Sequence, residues 1–196
     1  MKTMTWLVAA SIAVLGHAAA AQEVGETAVG VGVTTFGGAL QAEYRIQPRL
    51  GVRGMLMGGV SLDDEFEEED YTIDGEFDLG GVAVLADYYP MDGAWRVSGG
   101  LFLSNTELNG DFTGPENFEG TLAFENEVAP MITTGFRKSF GGGVALSGDI
   151  GVVLSSLEAS SSSNDPSVQA EIDDLNDDLD DVSVIPFVGF GLSYSF

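Results

Sequence analysis

The chain has 196 residues, with 31 acidic side chains against 7 basic ones and a formal net charge of −24. Phosphate backbones are bound through clustered Lys and Arg, so this balance excludes nucleic acid as a partner. Cysteine is absent, which excludes disulfides and thiol chemistry and leaves hydrogen bonding and packing to hold the fold.

The first residues, Met1-Lys2-Thr3, precede an apolar stretch from Trp6 to Leu15 and then Ala19-Ala20-Ala21. A basic start, a short apolar centre and an A-x-A site predict a secretory leader over 1–21, cleaved before Gln22. About ten apolar residues are too few for a membrane-spanning helix, which needs ~20. The remainder, 22–196, reads as one domain.

Eight segments follow in which apolar and polar residues alternate, as a strand with two unlike faces requires. They cover 28–36, 39–46, 50–60, 77–88, 95–106, 130–140, 144–156 and 184–196. The run Leu40-Gln41-Ala42-Glu43-Tyr44-Arg45-Ile46 alternates most clearly. In 144–154, Val144, Leu146, Gly148, Ile150, Val152 and Leu154 share one face, with Ser147 and Asp149 on the other. Segment 77–88 is apolar on both faces, which leaves its facing open. The last segment places Val188, Phe190, Leu192, Tyr194 and Phe196 on one face, and Gly189, Gly191, Ser193 and Ser195 on the other. Most of the 27 glycines lie inside valine- and leucine-rich stretches, as tightly curved strands require.

The connections alternate in length. Gln47-Pro48-Arg49, Pro90-Met91-Asp92-Gly93 and Gly141-Gly142-Gly143 are short, whereas 61–76, 107–129 and 157–183 are long. Gly37-Gly38, in the first outer connection, is a short exception. The pattern predicts an all-β fold: an eight-stranded antiparallel up-and-down transmembrane barrel, with turns at one end and loops at the other. A soluble barrel of lipocalin type also has eight strands, but its apolar face points inward and its end on an exposed aromatic has no explanation. Within the last loop, Val168, Ile172, Leu175, Leu179 and Val182 recur at spacings of four and three. They predict an amphipathic helix over 166–182, capped by Asn164 or Asp165, opened by Pro166 and packed on the barrel rim.

Charge sorts along the barrel axis. The three long loops hold 24 of the 31 acids and no Lys or Arg, while Arg45, Arg49, Arg53, Arg96, Arg137 and Lys138 gather at the turn end. Parity points Arg45, Arg53, Arg96 and Arg137 into the barrel with Glu43 and Asp149, and Asp87, in the segment whose facing is open, is expected to join them at the same depth. An eight-stranded interior is just filled by side chains, and ions buried there must pair. These seven residues are therefore expected to form an ion-pair network closing the turn end; the competing expectation is that the Arg side chains extend to water at the interface. The acids Asp63, Asp64, Glu65, Glu67, Glu68, Glu69 and Asp70 would attract Ca²⁺ or Mg²⁺ diffusely. No metal site is predicted: around Asp74-Gly75 the calcium-loop spacing fails at Thr72 and Gly81. Acidity of this degree is also what a salty habitat by itself favours.

The one histidine, His17, lies in the leader. Ser-His-Asp, Cys-His and histidine-metal chemistry are thus outside the reach of 22–196, and no catalytic or cofactor-binding residue is predicted.

With Tyr88-Tyr89-Pro90, Trp95-Arg96-Val97-Ser98-Gly99-Gly100 and the ending Gly191-Leu192-Ser193-Tyr194-Ser195-Phe196, the chain resembles the small proteobacterial outer-membrane β-barrels of OmpW-like and OmpA-barrel type. The resemblance implies residence in a Gram-negative outer membrane, beside lipopolysaccharide. It also implies an assembly signal at Phe190, Leu192, Tyr194 and Phe196, recognised by the barrel-assembly machinery. The implied roles are envelope stabilisation by a non-enzymatic barrel with acidic loops or, alternatively, a porin-like narrow channel for small solutes.

Overall fold

A computed structural model describes residues 24–68, 71–91, 93–113, 117–180 and 183–196. The leader expected over 1–21 lies outside them, as do Glu69, Asp70 and Val182. Among the described residues, eleven strands and one helix follow in chain order. They are β1 (Thr27–Thr34), β2 (Gly37–Gln47), β3 (Leu50–Glu68), β4 (Tyr71–Tyr88), β5 (Trp95–Ser104), β6 (Glu107–Thr113), β7 (Phe118–Phe124), β8 (Val128–Gly141), β9 (Val144–Val153), β10 (Leu157–Ser161), α1 (Pro166–Asp180) and β11 (Ile185–Ser195).

Eight of these close a ring of antiparallel neighbours, β1-β2-β3-β4-β5-β8-β9-β11 and back to β1. The last residue completes the seam: Phe196 N donates to Thr27 O at 2.9 Å. One path of paired residues runs Ser195–Ala28–Glu43–Arg53–Leu85–Gly100–Met131–Val153–Ile185 and returns to β11 ten residues displaced. That stagger, with ordinary strand spacing and rise, tilts the strands by roughly 40° and gives a backbone radius of roughly 8 Å. Side chains from opposite walls meet in such a cylinder.

The alternation decides which side chains face where. Val29, Val31, Val33, Leu40, Leu56, Val84, Leu101, Ile132, Ile150, Phe190 and Leu192 stand exposed around the outside. Tyr44, Tyr88, Trp95, Phe136 and Tyr194 gather outside toward the turn end, where an aromatic girdle meets a membrane interface. Trp95 Nε1 donates to Thr134 Oγ1 at 2.8 Å. An apolar exterior on strands that close into a ring without a free edge is the surface a bilayer requires. The facing of 77–88 is now fixed: Ala83, Leu85 and Asp87 are buried, while Val82, Val84 and Tyr88 are exposed.

The three long segments are not simple loops, which corrects the sequence expectation. β3 and β4 run on past the barrel through a register shift between Met57 and Val60. Gly59 adopts φ +77° at this shift, in the left-handed region that favours glycine. The outer half of β4 then leaves β5 and pairs with β6, and β6, β7 and β10 continue a five-stranded extension. The extension has two unlike faces. Phe77, Leu108, Leu122 and Ala159 align across it on one side, whereas Asp74, Asp111 and Glu119 align on the other.

The helix begins as expected, with Pro166 first and Asp165 as its cap: Asp165 Oδ1 accepts from Ser167 N at 2.8 Å and from Ser167 Oγ at 2.6 Å. These bonds hold the Asp165 carboxyl below its usual pKa. However, α1 lies against β10 in the extension instead of against the barrel rim. The Asn176 side chain clamps the Ala159 backbone there, accepting from N at 2.7 Å and donating to O at 2.9 Å.

Candidate functional site: the barrel interior

The lumen is filled in two tiers. Toward the turn end, parity turns Glu43, Arg45, Arg53, Asp87, Arg96, Arg137 and Asp149 inward, all of them buried. Asp149 is the hub. Arg96 grips it with a two-pronged fork, Nη2 to Oδ2 at 2.7 Å and Nε to Oδ1 at 3.1 Å, while Arg53 Nη1 reaches Oδ2 at 2.8 Å. Arg53 Nη2 also donates to Asp87 Oδ1 at 3.2 Å and to Ser98 Oγ at 3.3 Å. Arg96 Nη1 spans Glu43 Oε1 at 3.2 Å and Asp87 Oδ2 at 3.7 Å. Arg137 Nε lies 3.0 Å from Glu43 Oε2, and its Nη2 donates to Ser195 Oγ at 2.7 Å.

Six of the seven expected residues thus meet in one connected set. The seventh, Arg45, is just as buried but sits with its guanidinium 3.5 Å from the centre of the Tyr89 ring. Among the described residues, its Nε and Nη1 have no hydrogen-bond partner. Tyr89, 3% exposed, is a closing residue that the sequence did not single out. One position past β4, it keeps the inward parity of Asp87 and folds under the barrel, so a strand extended by one residue would have found it. Cation–π contact and stacking suit a planar guanidinium set against an aromatic face.

The second tier, toward the extension, is hydrocarbon. Met55, Met57, Ala83, Leu85, Phe102, Ala129, Met131, Val153 and Phe187 pack with Phe36 and Phe124. Phe36 belongs to the short first connection, yet it is only 2% exposed because it turns back into the mouth. Its ring centre lies 4.6 Å from Phe102, 6.0 Å from Phe124 and 6.3 Å from Phe187. Between the tiers, a void beside Gln41, Met55, Ser147 and Asp149 measures about 10 Å³, room for one water.

The residues expected as an assembly signal, Phe190, Leu192, Tyr194 and Phe196, project outward from β11 and are 55%, 54%, 53% and 72% exposed. Among the described residues, no group of three or more acidic side chains is placed to hold a metal ion.

No family model and no curated protein matches the chain. Two crystal structures from Acinetobacter baumannii have a similar fold. CarO2 superimposes with a TM-score of 0.63 at 16% identity, over 89% of this chain and 100% of that one. CarO gives 0.60 at 17% identity, over 89% and 98%. At this identity the likeness is one of fold, a small eight-stranded barrel of outer-membrane type.

Proposed function

We propose that the protein is a non-enzymatic outer-membrane barrel that stabilises the envelope as a closed element and displays an acidic folded extension outside the cell. The observation that carries this reading is the doubly filled lumen. A solute crossing it would have to part the rings of Phe36, Phe102, Phe124 and Phe187, then break the hydrogen-bonded set around Asp149. Breaking a buried ion set costs several kcal/mol per unpaired charge. The absence of histidine and cysteine from 22–196 agrees with a role outside catalysis. In the same reading, the exposed row Phe190, Leu192, Tyr194 and Phe196 serves as the mark for the barrel-assembly machinery, and leader cleavage precedes insertion.

The narrow-channel alternative gains from the acidic mouth, which would gather cations. The guanidiniums at the far end oppose their transit. Planar-bilayer recording on the purified chain tests the choice. The expected outcome is a quiet bilayer, with Arg96→Ala combined with Phe102→Ala producing leak. Stable ion-selective unitary steps from the unaltered protein would overturn the closed-barrel reading.

A further inference from the structure

Two leucines of the extension stay open to solvent although each lies on the apolar face of its own element: Leu175 of α1 is 44% exposed and Leu108 of β6 is 37%. Between them runs a groove of about 350 Å³, walled by Leu108, Phe112, Phe118, Leu122, Ile172 and Leu175. Its floor is a row of glycines, Gly75, Gly110 and Gly120, paired in register across β4, β6 and β7. Positions without side chains leave room above the sheet, and the Phe112 ring takes the part over Gly120, with Cε2 3.0 Å from where a Cβ would stand. Phe112 and Phe118 stack at 4.5 Å to form the end wall.

The helix is held so that this groove stays open. Asn176 and Gln169 fasten it to the backbone of Ala159 and Ser163. Asn176 is one residue from Leu175, about 100° around the helix, so the tether faces β10 while the leucine overhangs the groove. On the other flank of Leu175, four residues before and three after it, stand Glu171 and Asp178, both exposed. They form an acidic lip, and 61–76, 107–129 and 157–183 contain no Lys or Arg. Such a rim repels an anionic head group and attracts a cationic one, while the groove takes an apolar body.

The geometry points to a binding site for a small cationic amphiphile, with its hydrocarbon over Gly75 and Gly110 against the Phe112 ring and its charged nitrogen beside Glu171 and Asp178. The site lies in the extension, apart from the closed lumen, and does not depend on whether the barrel conducts.

Methyl NMR on the full chain in zwitterionic micelles tests this, with octyltrimethylammonium as probe and octanoate and octan-1-ol as comparators. The expected result is saturable shifts of the Leu108, Leu122, Ile172 and Leu175 methyls with the cation and none with octanoate. Glu171→Gln and Asp178→Asn should each weaken the cation by roughly threefold, within the range of exposed ion pairs, and leave octan-1-ol unchanged. Leu108→Arg should abolish cation binding. Because it perturbs a strand, the two surface variants supply the test that does not depend on its folding. Equal affinity for octanoate would overturn the proposal. So would an unchanged affinity in both surface variants, or equal shifts at the lipid-facing Val31 and Leu192, which would mean simple partition into the micelle.

Discussion

The barrel and its extension are built from the same period-two strand, but they place charge in opposite ways. In the barrel, three carboxylates and four guanidiniums lie buried inside, and hydrocarbon faces out. In the extension, acids face out, no base answers them, and hydrocarbon is enclosed only in part between sheet and helix. Each pattern follows from its solvent. A bilayer accepts apolar side chains and forces polar ones inward, whereas water accepts carboxylates and leaves their mutual repulsion to dissolved ions. Stability in the barrel should therefore ignore salt, and stability in the extension should depend on it.

The sharpest way to break this comparison is to unpair the buried set. Arg96 meets Glu43, Asp87 and Asp149, so Arg96→Ala leaves three carboxylates short of a partner. The expected loss is about 3–5 kcal/mol, read from denaturant unfolding in micelles. Phe102→Ala, in the apolar tier, should cost a similar ~3–5 kcal/mol by opening a cavity. Both losses should be equal at low and high salt. A loss from Arg96→Ala that shrinks steadily with added salt would show the network to be solvated, and the contrast between regions would fail.

Why one region was legible in the sequence and the other was not has the same physical root. The barrel strands could be read because a membrane imposes strict alternation, and parity selected Arg53, Arg96, Arg137, Glu43 and Asp149, whereas Asp87 lies in a segment whose two apolar faces left its direction open. The same rule applied further would have found the upper tier. Arg96, Ser98, Gly100 and Phe102 share parity on β5, as do Phe187 and Ser193 on β11. Phenylalanine, however, is equally at home against lipid, so its presence in a strand does not announce the lumen. In the extension, Glu107-Leu108-Asn109-Gly110-Asp111-Phe112 does alternate, but its density of acids and glycines looks like loop. The strand forms because β4 and β7 pair with its two edges, and that is information from other parts of the chain. Arg45 shows the remaining limit: parity gave its direction, but not that an aromatic ring would receive it.

Smaller effects sharpen the extension side. In α1, Asp173 and Asp177, and likewise Asp174 and Asp178, stand four residues apart with like charge, and the last turn carries no base. Both arrangements oppose the helix, the second through its dipole. Asp177→Lys should therefore stabilise α1 by about 0.3–1 kcal/mol, seen as slower amide exchange across the helix. Raising salt toward 0.5 M should slow exchange in the unaltered helix as well, and should narrow the gap between the two proteins. Exchange in β1 and β11 should not move.

The smallest effect, and the most local, is at the other end of the helix. Hydrogen bonds from the Ser167 hydroxyl and backbone hold the Asp165 carboxyl below its usual pKa. The depressed value belongs to the folded state, so the cap contributes stability at pH above the ordinary carboxylate pKa of about 3.9. That contribution falls away as pH drops from there through the lower, folded value. Amide exchange of the first turn, Ser167 to Gln169, should then speed up as acid is added. Asp165→Asn keeps an acceptor for the Ser167 amide but has no carboxyl to titrate, so it should flatten the pH response while leaving the first turn formed. Acid should thus loosen the first turn in the unaltered protein, and that loosening should disappear with Asp165→Asn. A first turn whose exchange does not respond to acid in the unaltered protein would show that the cap contributes little, and that the helix belongs wholly to the salt-governed regime of the extension.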